Sequence, residues 1–149
     1  MSTLNAGEPA PDFSLQTQDG ATVTLAEHRD KQAVVLIFYP MDQTPGCTAQ
    51  LCTVRDDALL YAGAGVRVFG VNNGNAASHA RFSAKHELNA PLLVDADLAV
   101  ARAYGAKLGP LPLINRTGVG IAQDGTIAFY KRGSPPTAEI LAGLGKAAV

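Results

Sequence analysis

Residues 33–39 read AVVLIFY, a continuous run of apolar and β-branched residues. Such a run is typical of a strand that is covered on both faces, and therefore of a central strand in an α/β sheet. Pro40 ends the run, a polar loop follows over residues 41–46, and an apolar stripe at helical spacing then predicts a helix from about Cys47 to Ala62. Ligands in such sheets bind beyond the carboxyl ends of the strands, so we expect this loop to border a functional site.

The remaining sequence alternates strands and helices in the middle of the chain and places hairpin strands at both ends. The predicted elements are a hairpin that pairs residues 13–15 with 23–25, strands at 66–72 and 91–95, helices at 76–88 and 99–104, strands at 119–122 and 126–130, and a final helix at 137–147. This order predicts a three-layer α/β/α sandwich around a mixed sheet. Because no repeat or linker-like stretch interrupts it, we expect residues 1–149 to form a single domain.

The composition is that of a globular protein, with 47% apolar and 17% charged residues. A formal net charge of −1 leaves no basic surplus of the kind that binds nucleic acid or acidic membranes. The first residues, MSTLNAGEPAPDFSL, lack the charged and apolar regions of a secretory signal, and no stretch approaches the roughly 18 apolar residues of a membrane helix. We therefore expect a cytoplasmic protein with no nucleic-acid or membrane partner.

The chain has two cysteines, Cys47 and Cys52. A reducing cytosol argues against a permanent structural disulfide between them. Two thiols without a nearby histidine or second cysteine pair make only half of a structural zinc site, so we expect no metal and no other cofactor. Redox chemistry of the thiols themselves remains.

One such reaction is attack on the O–O bond of a peroxide, which requires the thiolate. An isolated cysteine with a pKa of about 8.5 is only about 3% ionised at pH 7. Cys47 follows Thr44-Pro45-Gly46, which is typical of a helix first turn, where exposed N–H groups and the helix dipole favour an anion. Full ionisation gains only about thirty-fold, so a fast reaction also needs donors aimed at the leaving oxygen. We expect these to be the amides of residues 46–47, the Thr44 hydroxyl and an arginine.

Cys52 lies five residues after Cys47. In an intact helix this spacing corresponds to a rotation of about 140° and a rise of about 7.5 Å. A disulfide normally needs Cα atoms within about 7 Å and side chains that point towards each other. The spacing therefore predicts that the two cysteines can join only if this helical turn unwinds.

The segment FYPMDQTPGCTAQLCTVRD, residues 38–56, closely resembles the active-site segment of peroxiredoxins, and in particular that of the Q type, also called bacterioferritin comigratory proteins. Pro40, Thr44 and Cys47 match the family signature Pro-x-x-x-Thr-x-x-Cys, and Cys52 matches the second cysteine of the Q type. Residues 78–105 and 114–127 are similar to further family segments, so the resemblance covers most of the chain.

The resemblance implies the thioredoxin-like peroxiredoxin fold and a thiol-dependent peroxidase that reduces hydrogen peroxide and organic hydroperoxides. It implies that Cys47 is the peroxidatic cysteine and Cys52 the resolving one. It also implies that Pro40 shields the sulfur while Thr44 and Arg116 activate the peroxide. Thioredoxin is the implied reductant. Because both cysteines lie on one chain, a monomer suffices.

Three features depart from the family pattern. Loop 106–115, AKLGPLPLIN, is shorter than usual and is not rich in Lys, Tyr and Gly as the family's loop is, which predicts a difference in reductant docking or substrate preference. Residues 117–120 contain two glycines and no aromatic residue, which predicts thin packing beneath Arg116. Gln50 stands where an acidic residue is frequent, so a carboxylate partner for the arginine is missing there.

Interpretations without a catalytic role stay open for the two cysteines and the two arginines. Cys47 could be an inert core thiol. Cys52 could be a spectator on its helix, and Arg116 an ordinary surface arginine. Arg55 fits a structural or solvated helix position better than a catalytic one.

Other functions for the cysteine pair also stay open. The same disulfide would suit a redox sensor or relay. A general disulfide oxidoreductase is disfavoured because such enzymes use Cys-x-x-Cys. A Cys–His protease would need a partner among His28, His79 and His86, but two of these lie on a predicted helix whose polar face can hold them.

Overall fold

The computed structural model describes residues 4–145. Its strands are β1 (Ser14–Thr17), β2 (Thr22–Thr24), β3 (Ala33–Phe38), β4 (Val66–Asn72), β5 (Leu92–Val94), β6 (Thr117–Ile121) and β7 (Ile127–Arg132). Its α-helices are α1 (Pro45–Asp56), α2 (Ala58–Gly63), α3 (Ala76–His86), α4 (Ala99–Ala103) and α5 (Thr137–Gly143), and a single 3-10 turn spans Ala26–His28.

The seven strands form one mixed sheet in the order β2-β1-β5-β4-β3-β6-β7. The central strand β3 pairs in parallel with β4 and antiparallel with β6. The N-terminal hairpin joins the sheet through an antiparallel pairing of β1 with β5. The mixed sheet and the N-terminal hairpin that the sequence predicted are confirmed.

Both faces of the sheet are covered, as the apolar run in β3 predicted. Every residue of β3 is buried. Alternate residues from Ala33 to Tyr39 enter two separate cores. One core also contains residues of α1, α2, α3 and α5, and the other contains residues of α4 and of the N-terminal segment. The arrangement is therefore the predicted three-layer α/β/α sandwich.

The helix predicted from Cys47 to Ala62 is two helices, and that part of the prediction was wrong. Asp57 interrupts it with φ −95° and ψ 14°, so α1 ends at the preceding residue and α2 begins at the following one. The Thr137 hydroxyl donates a hydrogen bond to the Asp57 carboxylate at 2.5 Å, which ties the break to the start of α5. The helix predicted at 137–147 ends at Gly143; residues 146–147 of that prediction lie outside the described residues.

The two glycines of β6 do not leave the thin packing that the sequence predicted. A Cβ on Gly118 would lie 2.9 Å from a carbon of Pro135. A Cβ on Gly120 would lie 3.0 Å from Phe129 and 3.1 Å from Leu144. Side chains from β7 and from the segments around α5 therefore fill the space that larger residues on β6 would occupy.

In the described part of the chain, every helix is too short or too polar to span a lipid bilayer.

Candidate active site

Cys47 is the third residue of α1 and is fully buried, with 0% of its surface exposed. Thr44 precedes the helix in an extended conformation, and Pro45 is its first residue. Proline suits this position because the first amides of a helix have no intrahelical acceptor. The sulfur thus lies at the positive end of a helix dipole, next to amides that are free to bind an anion.

Arg116, directly before β6, reaches across to this sulfur. Its Nη2 donates a hydrogen bond to Cys47 Sγ at 3.2 Å, between residues 69 positions apart in the chain. Gly46 permits this approach, because a Cβ at that position would lie only 3.3 Å from Nη2. The antiparallel pairing of β3 with β6 places the arginine beside the loop that follows β3.

Gln50 holds the other arm of the same guanidinium. Arg116 Nη1 donates to Gln50 Oε1 at 2.7 Å. The frequent carboxylate is replaced at this position by an amide oxygen, which accepts the hydrogen bond but carries no negative charge. Gln50 Nε2 is buried and has no hydrogen-bond partner among the described residues.

Thr44 and Pro40, the other two residues that the sequence singled out, border the same loop. The Thr44 hydroxyl donates to the Met41 carbonyl at 3.3 Å and not to the cysteine sulfur. Pro40 is half-buried, and its carbonyl accepts a hydrogen bond from Asn72 Nδ2 at 2.8 Å. The structure therefore brings Cys47 and Arg116 into direct contact, with Pro40 directly before the loop that leads to the thiol and Thr44 within it.

Cys52 lies on the same helix, is partly exposed, and is a free thiol like Cys47. Because α1 is continuous from Pro45 to Asp56, the two cysteines project from different sides of it. Arg55 donates to the His86 carbonyl at 2.7 Å and pairs with Asp56 at 2.9 Å. These contacts agree with the structural interpretation of Arg55.

A buried polar cluster beneath the loop was missed in the sequence. Asp42 accepts hydrogen bonds from Tyr39 Oη at 2.7 Å and Ser78 Oγ at 2.6 Å, and it pairs with His79 Nδ1 at 2.7 Å. The placement of His79 on a polar helix face was wrong: its side chain is fully buried, and Nε2 lies 3.0 Å from the Leu93 carbonyl. The spacing of His79 with Phe82, three residues apart on the inner face of α3, is the signal that could have found it.

The pKa values in this cluster follow from its burial and hydrogen bonds. Burial alone would raise the pKa of Asp42, but hydrogen bonds from His79, Ser78 and Tyr39 outweigh it and hold the pKa below its ordinary value. Burial, followed by the neighbouring carboxylate, raises the pKa of Tyr39 far above its ordinary value. Tyr39 is therefore a neutral donor and Asp42 a charged acceptor at neutral pH.

Loop 106–115 connects α4 to Arg116. Its ends are closed by a bridge between Lys107 and Ile114 and by a 2.6 Å hydrogen bond from the Asn115 amide to the Ala106 carbonyl. Large apolar side chains are exposed along it, namely Leu108, Leu111 and Leu113. The bridge and the hydrogen bond hold together the two ends of the loop, one of which leads directly into Arg116. No group of three or more His, Cys, Asp or Glu side chains among residues 4–145 is arranged to hold a metal ion.

Comparison with known proteins agrees with this geometry. Residues 6–130 match the model of the AhpC/TSA family. The chain is 42% identical over 112 residues to peroxiredoxin Q, chloroplastic, of Triticum aestivum, an alignment that covers 73% of this chain and 51% of that protein. It is 42% identical over 105 residues to peroxiredoxin Bcp of Escherichia coli (strain K12), which covers 70% and 67%. The chain spans about half the length of the plant relatives that it matches.

Solved structures show the same fold. The peroxidoxin BcpB of Mycobacterium tuberculosis superposes with a TM-score of 0.87 at 30% identity, and the match covers 95% of this chain and 97% of that one. The thioredoxin-like peroxiredoxin fold is therefore confirmed. Together with the family match, these similarities show that the chain belongs to the AhpC/TSA family and, within it, to the peroxiredoxin Q and Bcp group.

Proposed function

We propose that this protein is a thioredoxin-dependent thiol peroxidase that reduces hydrogen peroxide and organic hydroperoxides. The observation that carries the proposal is the 3.2 Å contact between the Arg116 guanidinium and the sulfur of Cys47 at the start of α1. A fixed cation and free helix amides beside one buried sulfur stabilise a thiolate and the charge that develops on a leaving oxygen.

In the first step, the Cys47 thiolate attacks one peroxide oxygen. An S–O bond forms and the O–O bond breaks. The leaving alkoxide or hydroxide then takes up a proton and departs as an alcohol or as water. The sulfur is oxidised by two electrons to a sulfenic acid, and the peroxide is reduced by two. Arg116 and the first amides of α1 stabilise the negative charge on the leaving oxygen.

In the second step, Cys52 attacks the oxidised sulfur. An S–S bond forms, the S–O bond breaks, and the hydroxyl group leaves as water with the proton of the Cys52 thiol. A dithiol reductant, for which we propose thioredoxin, then returns both cysteines to thiols by exchange and becomes a disulfide itself. The partial exposure of Cys52 supports this role, because a resolving thiol has to be reached by a second protein.

Thr44 and Pro40 complete the proposed site. Rotation of the Thr44 hydroxyl away from the Met41 carbonyl, to which it donates at 3.3 Å, would let it donate to a bound peroxide oxygen. Pro40 has no N–H group, and its ring can cover the thiol without offering a donor that attracts water. Both roles rest on the position of these residues beside the loop before Cys47.

Steady-state turnover tests the proposal directly. The protein is mixed with thioredoxin, thioredoxin reductase, NADPH and hydrogen peroxide or an organic hydroperoxide, and NADPH oxidation is followed. We expect many turnovers per protein molecule. A single stoichiometric oxidation that thioredoxin cannot reverse would contradict the enzyme and favour a redox sensor.

We further propose that the chain forms one domain and acts as a monomer in the cytoplasm. Both cysteines lie on one helix, so the cycle needs no second subunit. A reducing cytosol maintains the dithiol reductant that the cycle requires. Light scattering of the reduced and oxidised protein tests the oligomeric state, and a stable dimer in both states would contradict it.

A further inference from the structure

The buried cluster around Asp42 and His79 is a network of hydrogen bonds. The Leu93 carbonyl, 3.0 Å from His79 Nε2, can only accept a hydrogen bond, so Nε2 carries a hydrogen. The Asp42 carboxylate already accepts from the Tyr39 and Ser78 hydroxyls, and it lies 2.7 Å from His79 Nδ1. The His79 ring is therefore held at both nitrogens, by Asp42 through Nδ1 and by the Leu93 carbonyl through Nε2.

This pair ties the loop after β3 to the body of the protein. His79 belongs to α3 and its ring also reaches β5, whereas Asp42 belongs to the loop. Asn72, at the end of β4, adds a second tie because its Nδ2 donates to the carbonyls of Tyr39 and Pro40, both at 2.8 Å. A fully hydrogen-bonded buried network favours one arrangement, because any other leaves a buried polar group without a partner.

The pair of Asp42 and His79 holds the chain immediately before α1, the helix that contains Cys47. Gln43 follows Asp42 in a left-handed conformation, with φ +65°, and Thr44 then begins the approach to α1. A residue other than glycine is strained in this conformation, so the surrounding structure has to hold it there. The position of Asp42 therefore sets where α1 starts, and with it the position of Cys47 relative to Arg116.

We propose that Asp42 and His79 are positioning residues for the peroxide reaction: their buried hydrogen bond fixes the loop that follows Pro40 and leads to Cys47. The inference rests on the proposed function, since it concerns the same thiol. The residues after Asp42 stay free to unwind when the disulfide forms, whereas residues 39–42 stay in place.

The test measures the second-order rate constant for oxidation of Cys47 by hydrogen peroxide, by stopped-flow, in three variants of the full chain. Asp42→Ala removes the tie, and we expect a loss of tenfold or more. Asp42→Asn can restore it, because its amide group can donate to His79 Nδ1 and to Ser78 Oγ while its oxygen accepts from Tyr39. We expect this variant to stay within about threefold of the wild type.

Asn75→Ala is the matched control for a general loss of stability. Asn75 caps α3 by accepting from the Ser78 amide at 2.8 Å, and it makes no contact with Asp42 among the described hydrogen bonds. We expect this variant to denature at a lower temperature yet to react with peroxide at the wild-type rate. A rate loss equal to that of Asp42→Ala would instead assign the effect to the stability of α3 and overturn the proposal.

Two further results would overturn the inference: a folded Asp42→Ala that reacts at the wild-type rate, or an Asp42→Asn as slow as Asp42→Ala. If Asp42→Ala does not fold, Tyr39→Phe is the deciding variant, because it removes one of the hydroxyl groups that donate to the Asp42 carboxylate. A threefold or greater loss of the rate constant supports the proposal, and an unchanged rate constant overturns it. If the wild type itself does not react with peroxide, the proposed function fails; unchanged variants of a reactive wild type refute only the inference.

Discussion

At the scale of single residues, Arg116 carries the chemical argument, because one guanidinium contacts both the sulfur of Cys47 and the amide oxygen of Gln50. Its two arms are fixed at 3.2 Å and 2.7 Å, which a flexible ammonium group cannot reproduce. The charge and the fork geometry of this residue therefore both contribute to the site.

We expect Arg116→Lys to lower the rate constant of Cys47 oxidation by about a hundredfold, the usual effect of losing one preorganised donor to a developing anion. The measurement is stopped-flow mixing with hydrogen peroxide. Arg81→Lys, at an exposed position of α3, is the control and is expected to react like the wild type. Equal rates in the two variants would show that the guanidinium is not needed.

Gln50→Leu separates activity from stability. It removes the acceptor for Arg116 Nη1, and we expect peroxide reactivity to fall about tenfold as the guanidinium loses its orientation. It also removes the buried Nε2 group, which has no hydrogen-bond partner within residues 4–145, so we expect the free energy of unfolding to change by less than about 1 kcal/mol. Urea denaturation and stopped-flow kinetics measure the two effects; an unchanged rate would contradict the role given to Gln50.

The residue-scale site could be predicted only in part from the sequence. The thiol at a helix start follows from Thr44-Pro45-Gly46, but the partnership of Cys47 with Arg116 came from the family resemblance, since nothing local joins residues 69 positions apart. The pair of Asp42 and His79 was missed because a histidine among polar helix residues looks solvated until the packing of α3 is known.

At the scale of elements, α1 has to be both a rigid frame for the thiolate and a segment that unwinds. It is continuous over Pro45–Asp56 and contains both cysteines. Their positions differ by about 140° around the helix axis, so a disulfide cannot form without breaking helical hydrogen bonds. The stability of this helix should therefore control the rate of the second chemical step but not the first.

Ala49→Gly tests this control. Ala49 is an exposed position within α1, and glycine destabilises a helix by about 0.5–1 kcal/mol relative to alanine. We expect disulfide formation after a peroxide pulse to become about two- to fivefold faster, with the oxidation of Cys47 unchanged. Quenched-flow trapping of thiols measures both steps.

Ala84→Gly, at an exposed position of α3, is the matched control and should leave disulfide formation unchanged. If both glycine variants accelerate the step equally, global flexibility and not the unwinding of α1 sets its rate.

The predictability of the elements depended on how much of their pattern is local. Strands β3 and β4 were predicted within one residue of their bounds, because their continuous apolar runs leave one interpretation. The break at Asp57 was missed because no proline or glycine marks it, and the Thr137 hydroxyl that binds Asp57 lies 80 residues away. The mixed sheet was foreseen, but its strand order was not, since pairings such as β3 with β6 join distant parts of the chain.

At the scale of the whole molecule, the sheet brings distant segments together at one end of its strands. There β3 ends in the loop before Cys47, and β6 begins directly after Arg116. The buried pair of Asp42 and His79 lies at the same end of the strands. The stability of the whole fold should therefore depend on the protonation of one carboxylate beneath the site.

The sign of this pH dependence follows from the lowered pKa of Asp42. A carboxyl group whose pKa is lower in the folded than in the unfolded protein stabilises the fold above its unfolded pKa of about 3.9, and this contribution is lost as the pH falls through the folded pKa. We expect Asp42→Asn to be less stable than the wild type by about 1 kcal/mol at pH 7, with a difference that shrinks below about pH 4. Urea denaturation from pH 3 to pH 7 measures this, and a difference that grows towards acid would contradict it.

The most direct test of the central claim is mass spectrometry of the wild type, Cys47→Ser and Cys52→Ser after brief exposure to peroxide. We expect a disulfide between Cys47 and Cys52 in the wild type, a sulfenic acid or its further oxidation products on Cys47 in Cys52→Ser, and no rapid oxidation in Cys47→Ser. If Cys47→Ser is oxidised as fast as the wild type, Cys47 is not the residue that attacks the peroxide.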